Sequence, residues 1–171
     1  LFYRLADKNT RNGIQIFEDF CKSGHMKEKD ILAMRVLGDD AQIPAYRFEN
    51  VLLRKNRRFY NGDESNFVNL FASDYNDDFP DPFVRADILN WLYQVQALSG
   101  PTGDKGLFQV SELARSLQVY GHSLAVIYRE LAYLARKNLV LCENSAMPIE
   151  EGDLVKITIP GALHLQMLRN V

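Results

Sequence analysis

The sequence predicts a mainly α-helical protein: a helical subdomain over residues 1–80, then a winged helix-turn-helix with a small two-stranded β-hairpin over 81–171. Two observations predict this fold. Apolar residues recur at helical spacing through most of the chain. From Leu107 onward, two helical patterns joined by a short turn containing Gly121 are followed by two β-prone runs and a last helix. This order is typical of winged-helix modules, many of which bind the major groove of DNA.

The first subdomain is predicted to hold three helices. The first begins near Asn9 or Thr10, because either side chain can cap the free N–H groups of a helix start. The others are predicted around Lys27–Leu37 and around Ala45–Arg54, the latter after Pro44. The apolar stripe of the first helix consists of Ile14, Phe17 and Cys21, widened by Ile16 and Phe20.

A basic cluster ends this subdomain: Arg54, Lys55, Arg57 and Arg58. With Phe59 and Tyr60 behind it, the cluster is a candidate for contact with phosphates. The alternative is a solvated helix end whose positive charges complement the C-terminal dipole, and the acidic residues that follow favour this alternative. The polar stretch 72–82, with two prolines, is predicted to be the linker between the subdomains.

Three helices are predicted before the hairpin of the winged module. They cover 83–100, 110–117 and 123–137, with Ser111 as a cap of the second. The predicted core positions of the third helix are Leu124, Ile127, Leu131 and Leu134. Its outward residues are then predicted to be His122, Ser123, Ala125, Val126, Tyr128 or Arg129, Tyr133 and Arg136.

The hairpin and the last helix complete the module. Strands are predicted within 138–143 and 153–159, on either side of a wing at 144–152. Pro160-Gly161 then opens a final helix. Its apolar residues include Leu163, Leu165 and Leu168.

Two functional hypotheses follow for the winged module. In the first it binds double-stranded DNA, with contacts from Ser123, Arg129, Arg136 and Lys156. In the second it binds a protein partner or a second copy of itself, through a patch of Val126, Tyr128 and Tyr133. The acidic wing (Glu150, Glu151 and Asp153) counts against DNA, because carboxylates repel phosphates.

Composition sets further bounds. The net charge is −2, with 12 basic against 13 acidic residues in 1–80 and 8 against 9 in 81–171, a balance that disfavours a strong autonomous DNA binder. No apolar run approaches the ~18 residues of a membrane span, so no membrane partner is expected. Cys21 and Cys142, far apart and outside any metal-binding spacing, indicate a reducing compartment and hence the cytoplasm.

The segment 7–25, DKNTRNGIQIFEDFCKSGH, resembles the lid helix of AAA+ and related signal-transduction (STAND) ATPases. The chain as a whole resembles the C-terminal lid-plus-winged-helix region of origin-recognition-like members of that class. The resemblance implies that 1–80 is lid-like and that Arg11 senses the nucleotide in a full-length parent, which would hold ATP and Mg²⁺. The chain begins at Leu1 without Met, and we expect it to be a piece of such a parent.

No enzymatic site is predicted. The sequence has no GxxxxGK[ST] phosphate loop, so this chain alone is not expected to hydrolyse ATP or to hold a cofactor. The three histidines lack the spacing of metal ligands, so no metal site is expected. The expected role is a non-catalytic, regulatory or initiator-like DNA-binding region of a larger ATPase, or alternatively an assembly module that does not bind DNA.

Overall fold

In a computed structural model of the chain, the structure describes Ala6 and residues 9–25, 27–38, 45–55, 57–62, 65, 67–72, 81–98, 106–144 and 148–169. Within these residues lie seven α-helices and one three-stranded antiparallel sheet, which confirms the mainly helical class. The chain divides into two compact units, Leu1–Val68 and Asn69–Val171, each described here by itself. The predicted boundary after residue 80 stays a prediction, and residues 73–80 of the predicted linker lie outside the described residues.

The first unit contains the three predicted helices. They are α1 (Thr10–Lys22), α2 (Glu28–Leu37) and α3 (Ala45–Arg54). Asn9 caps α1 as predicted, since its side-chain oxygen accepts a hydrogen bond from the backbone N–H of Asn12 at 3.3 Å. Pro44, the predicted start of the third helix, lies outside the described residues.

The predicted apolar stripe of α1 is only partly buried. Ile16 and Phe20 are buried, whereas Ile14 is 63% exposed and Phe17 and Cys21 are also exposed. The predicted apolar stripe is therefore broader than the buried edge of the helix. The physical reason is that α1 packs against α3 along the edge that carries Ile16 and Phe20.

The second unit contains four helices and three strands among its described residues. In chain order they are α4 (Val84–Leu98), β1 (Phe108–Gln109), α5 (Val110–Val119), α6 (Leu124–Arg136), β2 (Val140–Cys142), β3 (Leu154–Ile157) and α7 (Ile159–Arg169). The strand order is β1-β3-β2, with all neighbours antiparallel. The two-stranded hairpin predicted from the sequence is thus joined by a third strand, β1, which is too short to show alternation in the sequence.

Helix α4 lies at the centre of the second unit. It packs against α5, α6, α7 and β3. Val84, Ile88, Leu89 and Leu92 are fully buried along it. Their spacing is that of the core-facing stripe of a helix.

The starts of α5 and α6 differ in how they are capped. Ser123 caps α6, because its hydroxyl accepts the N–H of Val126 at 3.4 Å. Ser111 was predicted to cap α5, and this is wrong: Gln109 holds the cap position without a side-chain bond. Strand β1 runs directly into α5, so the N–H groups of Val110 and Ser111 donate to wing carbonyls of Asp153 and Glu151, at 3.0 and 3.1 Å.

The core of α6 differs from the prediction at its first position. Ile127, Leu131 and Leu134 are fully buried as predicted, but Leu124 is 39% exposed. In the first turn of α6, the Leu124 side chain is exposed and the Val126 side chain is buried. The spacing of the apolar residues alone does not distinguish these two choices.

The last helix, α7, begins close to β2. Of its apolar residues, Leu163 and Leu165 are buried and Leu168 is exposed. Burial lowers the pKa of the His164 imidazole to about 4, although a hydrogen bond with the Pro160 carbonyl opposes this shift. No helix of the described residues is both long and apolar enough to cross a bilayer.

Candidate nucleic-acid interface

The outer face of α6 carries a line of exposed residues. Ala125, Arg129 and Arg136 are all exposed, at separations of four and seven residues that place them on one side of the helix. Ser123, also exposed, stands at the start of the same helix. Three of the four predicted DNA contacts, Ser123, Arg129 and Arg136, therefore belong to α6.

The one carboxylate of α6, on Glu130, does not reach this outer face. Glu130 is buried, and its two oxygens accept from Nε of Arg85 at 2.5 Å and Nε of Arg129 at 2.8 Å. Arg85 comes from α4, and its guanidinium lies 4.1 Å from the centre of the Tyr133 ring. The outer face of α6 thus presents two guanidinium groups and no exposed carboxylate.

The predicted partner patch is less exposed than the sequence suggested. Val126 is only 9% exposed, so the prediction that it faces outward is wrong. The hydroxyl of Tyr128 is buried without a hydrogen-bond partner among the described residues, and burial followed by the charge of Glu151 raises the pKa of this phenol. Tyr133 lies beneath Arg85, with the Lys137 ammonium 5.9 Å from its ring centre.

The wing uses one of its three predicted acidic residues internally. The Asp153 carboxylate accepts from the backbone N–H of Glu150 at 2.8 Å and from the Asn144 side chain at 3.3 Å. Glu150 and Glu151 are exposed. Lys156, the fourth predicted DNA contact, is half-buried on β3, where it pairs with Leu141 across the ladder.

His122 was predicted to face outward, and this prediction is wrong. Its side chain is 8% exposed and bridges two carboxylates: Nδ1 contacts Asp81, and Nε2 lies 2.8 Å from Asp87. Burial disfavours the charged imidazole, but the hydrogen bonds and charges of both aspartates outweigh it and raise the pKa of His122. Because Asp81 also accepts the N–H groups of Phe83 and Val84, this bridge joins the start of α4 to the turn between α5 and α6.

The basic cluster of the first unit has mixed surroundings. Lys55 lies 3.4 Å from the Asp19 carboxylate, and an Arg54 nitrogen donates to the Arg58 carbonyl at 3.5 Å. Arg57 and Arg58 line an open cavity of about 610 Å³ formed by the loop 57–62. Lys55 thus has an acidic partner, and the role of the four basic residues as phosphate contacts stays a prediction.

Arg11, which the resemblance assigns to nucleotide sensing, lies exposed in the first turn of α1. Both cysteines are free thiols, and burial raises the pKa of the Cys142 thiol. In the part of the chain that the structure describes, no three His, Cys, Asp or Glu residues are grouped as ligands for a metal ion.

Sequence reasoning missed the two charged assemblies of the second unit. Arg85 and Glu130 are 45 residues apart, and His122 is 41 and 35 residues from its two aspartates. No local spacing rule links residues at these separations. No protein-family model matches the chain, and comparisons with curated proteins and with solved structures find no match either.

Proposed function

We propose that the second unit binds double-stranded DNA through the outer face of α6, in a regulatory role. The observation that carries this proposal is the pair of exposed guanidinium groups, Arg129 and Arg136, on a helix whose only carboxylate is buried. An exposed helix with this charge, following a short turn after another helix, is suited to insertion into the major groove.

Each residue has an assigned role. Arg129 is the base-reading group, since a guanidinium matches the two acceptors of guanine, and Glu130 holds it by its Nε. Arg136 and Lys156 contact phosphates, and Ser123 makes a short polar contact beside them. Ala125, with its small side chain, allows the helix to approach the bases closely.

The expected affinity is modest. Glu150 and Glu151 remain exposed on the wing and repel phosphates, while three cations (Arg129, Arg136 and Lys156) attract them. Two phosphate neutralisations, by Arg136 and Lys156, give a slope of about −2 in the logarithm of the binding constant against the logarithm of salt concentration.

The test is fluorescence anisotropy of a labelled generic duplex, at low salt and near physiological salt. We expect micromolar binding that weakens about tenfold or more with salt, and that is lost in the double variant Arg129→Ala/Arg136→Ala. The matched control is Lys22→Ala/Arg35→Ala, which removes the same charge from the first unit and should retain binding. Equal loss in both double variants, or no binding at low salt, would refute the proposal.

The wider setting is a further part of this proposal. The lid-like sequence around Arg11 supports a parent ATPase, with this chain as its non-catalytic C-terminal region. The two scattered cysteines, Cys21 and Cys142, support a reducing compartment, the cytoplasm. In such a parent, Arg11→Ala should lower ATP turnover while Arg35→Ala does not. Equal turnover in the two variants would remove Arg11 from this role.

A second candidate function is protein binding. The observation that favours it is a group of exposed aromatic side chains in the second unit, Phe71, Phe83 and Tyr120. Phe71 and Phe83 pack edge to face at 6.1 Å, so this aromatic surface is partly ordered by its own contacts. Exposed aromatic groups are enriched where proteins bind each other. Sedimentation velocity of the chain, with and without Tyr120→Ala, separates self-association from binding of a different protein.

A further inference from the structure

A cleft of about 430 Å³ lies between α4 and the turn that joins α5 to α6. Its aromatic lining is Phe83, Trp91 and Tyr120, and its polar lining from α4 is Asp87, Asn90 and Gln94. None of these residues belongs to the outer face of α6. The cleft is therefore a separate feature from the proposed DNA-binding face.

The aromatic groups of the cleft are accessible. Tyr120 is 73% exposed and Phe83 is also exposed, while Trp91 is half-buried with its ring edge to face against Phe108 at 5.8 Å. Exposed apolar groups that form a contiguous patch often mark an interaction site. Electron-rich ring faces attract cations, with guanidinium the most frequent partner.

The polar groups of the cleft are acceptors with a negative charge. The Asp87 side chain remains 42% exposed although one of its oxygens receives the Nε2 bond of His122. Asn90 and Gln94 stand on the same face of α4 at i+3 and i+7 from Asp87. Apart from His122, no basic side chain among the described residues lines the cleft, so a phosphate or carboxylate would find no strong partner there.

The carboxylates beside His122 keep the cleft from being positively charged. Asp81 and Asp87 carry two negative charges, against the single charge that His122 carries when protonated. Arg169 of α7, which lies outside the lining, adds one positive charge and donates to the Asn90 side-chain oxygen at 2.8 Å; this oxygen also accepts from the Gln94 side chain at 3.4 Å.

The same unit already binds guanidinium groups by this combination of an oxygen and a ring. Arg85 is held by the Glu130 carboxylate with its guanidinium over Tyr133. Arg169 is held by the Asn90 amide oxygen, 5.1 Å from the centre of the Tyr93 ring. The cleft repeats the combination with Asp87 beside three rings.

We propose that this cleft binds an arginine side chain presented by a partner protein. A guanidinium stacks on the aromatic rings and donates to the Asp87 carboxylate and to the Gln94 amide oxygen, so one planar group uses both kinds of lining. This inference rests on the second candidate function, protein binding, and is independent of DNA binding by α6.

The probe for the test is N-acetyl-arginine methylamide, with the neutral isostere N-acetyl-citrulline methylamide as its matched control. Trp91 is the only tryptophan of the chain and lines the cleft, so its fluorescence reports binding directly. We expect a saturable change with a dissociation constant of about 1 mM for the arginine compound, and at least tenfold weaker binding of citrulline.

Variants locate the binding site. Tyr120→Ala and Asp87→Asn should each weaken arginine binding about fivefold to tenfold, whereas Val119→Ala and Glu112→Gln, exposed neighbours outside the lining, should not change it. Equal binding of arginine and citrulline, or equal effects of lining and control variants, would overturn the proposal.

The duplex anisotropy of the Tyr120→Ala variant separates this inference from the DNA proposal. DNA binding should be unchanged in Tyr120→Ala even when arginine binding is lost. A wild-type chain that self-associates but does not bind the arginine compound would refute the arginine site. If self-association also persists in Tyr120→Ala and Asp87→Asn, protein binding remains as a candidate function.

Discussion

Gly161 lies where α7 begins against the end of β2, and we expect replacement by alanine to destabilise the second unit. A Cβ atom at this position would overlap the backbone oxygen of Leu139 and would lie 2.9 Å from Cγ1 of Ile157. The Leu139 oxygen belongs to the backbone and accepts from the N–H and the hydroxyl of Thr158 at 3.1 and 3.0 Å. Neither the carbonyl nor the start of α7 can move without disturbing these bonds.

The magnitude follows from opposing terms. Overpacking in a core costs about 1–3 kcal/mol, and weakening the hydrogen bonds to Leu139 adds about 1 kcal/mol. The better helix propensity of alanine returns up to about 1 kcal/mol. We therefore expect Gly161→Ala to lower the free energy of unfolding of the second unit by about 2 kcal/mol.

The assay is urea unfolding followed by the fluorescence of Trp91, which lies in the second unit and is the only tryptophan. Gly152→Ala is the matched control, because a Cβ there meets nothing within 4 Å. The control should change stability by less than about 0.5 kcal/mol. If Gly161→Ala proves as stable as Gly152→Ala, the close approach of α7 to Leu139 is wrong.

Two further predictions concern the charged groups of the second unit. Glu130→Ala leaves the part-buried Arg85 without its carboxylate and should lower the free energy of unfolding in urea by about 3 kcal/mol. The control Glu112→Ala, at an exposed position, should lower it by less than about 0.5 kcal/mol. A similarly small loss in both variants would contradict the buried pair of Arg85 and Glu130. The raised pKa of His122 means that its charged form stabilises the fold fully below about pH 6.5 and that this contribution is lost as the pH rises through the folded pKa. Unfolding measured upward from neutral pH should therefore show falling stability in the wild type and a flatter profile in His122→Asn. An equal slope in both would exclude the bridge as its source, because His164, whose folded pKa is about 4, is present in both proteins and cancels in the comparison.

Much of the local structure was predictable because it depends on neighbours in sequence. The Asn9 cap acts over three residues, and helical spacing located α3 and α6 close to their observed bounds. The composition of the two strands on either side of the wing predicted the hairpin. The exposed pair Arg129 and Arg136 also follows from helical spacing once the core positions of α6 are assigned.

The candidate sites could be predicted only in part. The sequence placed Arg129 and Arg136 on an outer face, but it gave no sign that Glu130 is withdrawn from that face by Arg85. The aromatic cleft was not predicted, because Trp91 lies in α4 and Tyr120 in the turn after α5, and each alone has the sequence context of an ordinary apolar residue. Residues that meet across 29 or more positions of sequence, as Trp91 and Tyr120 do, leave no periodic pattern in the sequence.

The amino-acid sequence by itself determined the mainly helical class, the order of the helices and of the two hairpin strands in the second unit, and the Asn9 cap of α1, since these depend on interactions within a few residues. Only the tertiary structure decided which edge of α1 is buried, that β1 joins the sheet, and that His122 turns inward between two aspartates. These three outcomes depend on which faces of the helices and strands pack against each other. A helix with apolar residues along a broad stripe can pack by either edge, and the energy of the contact selects one.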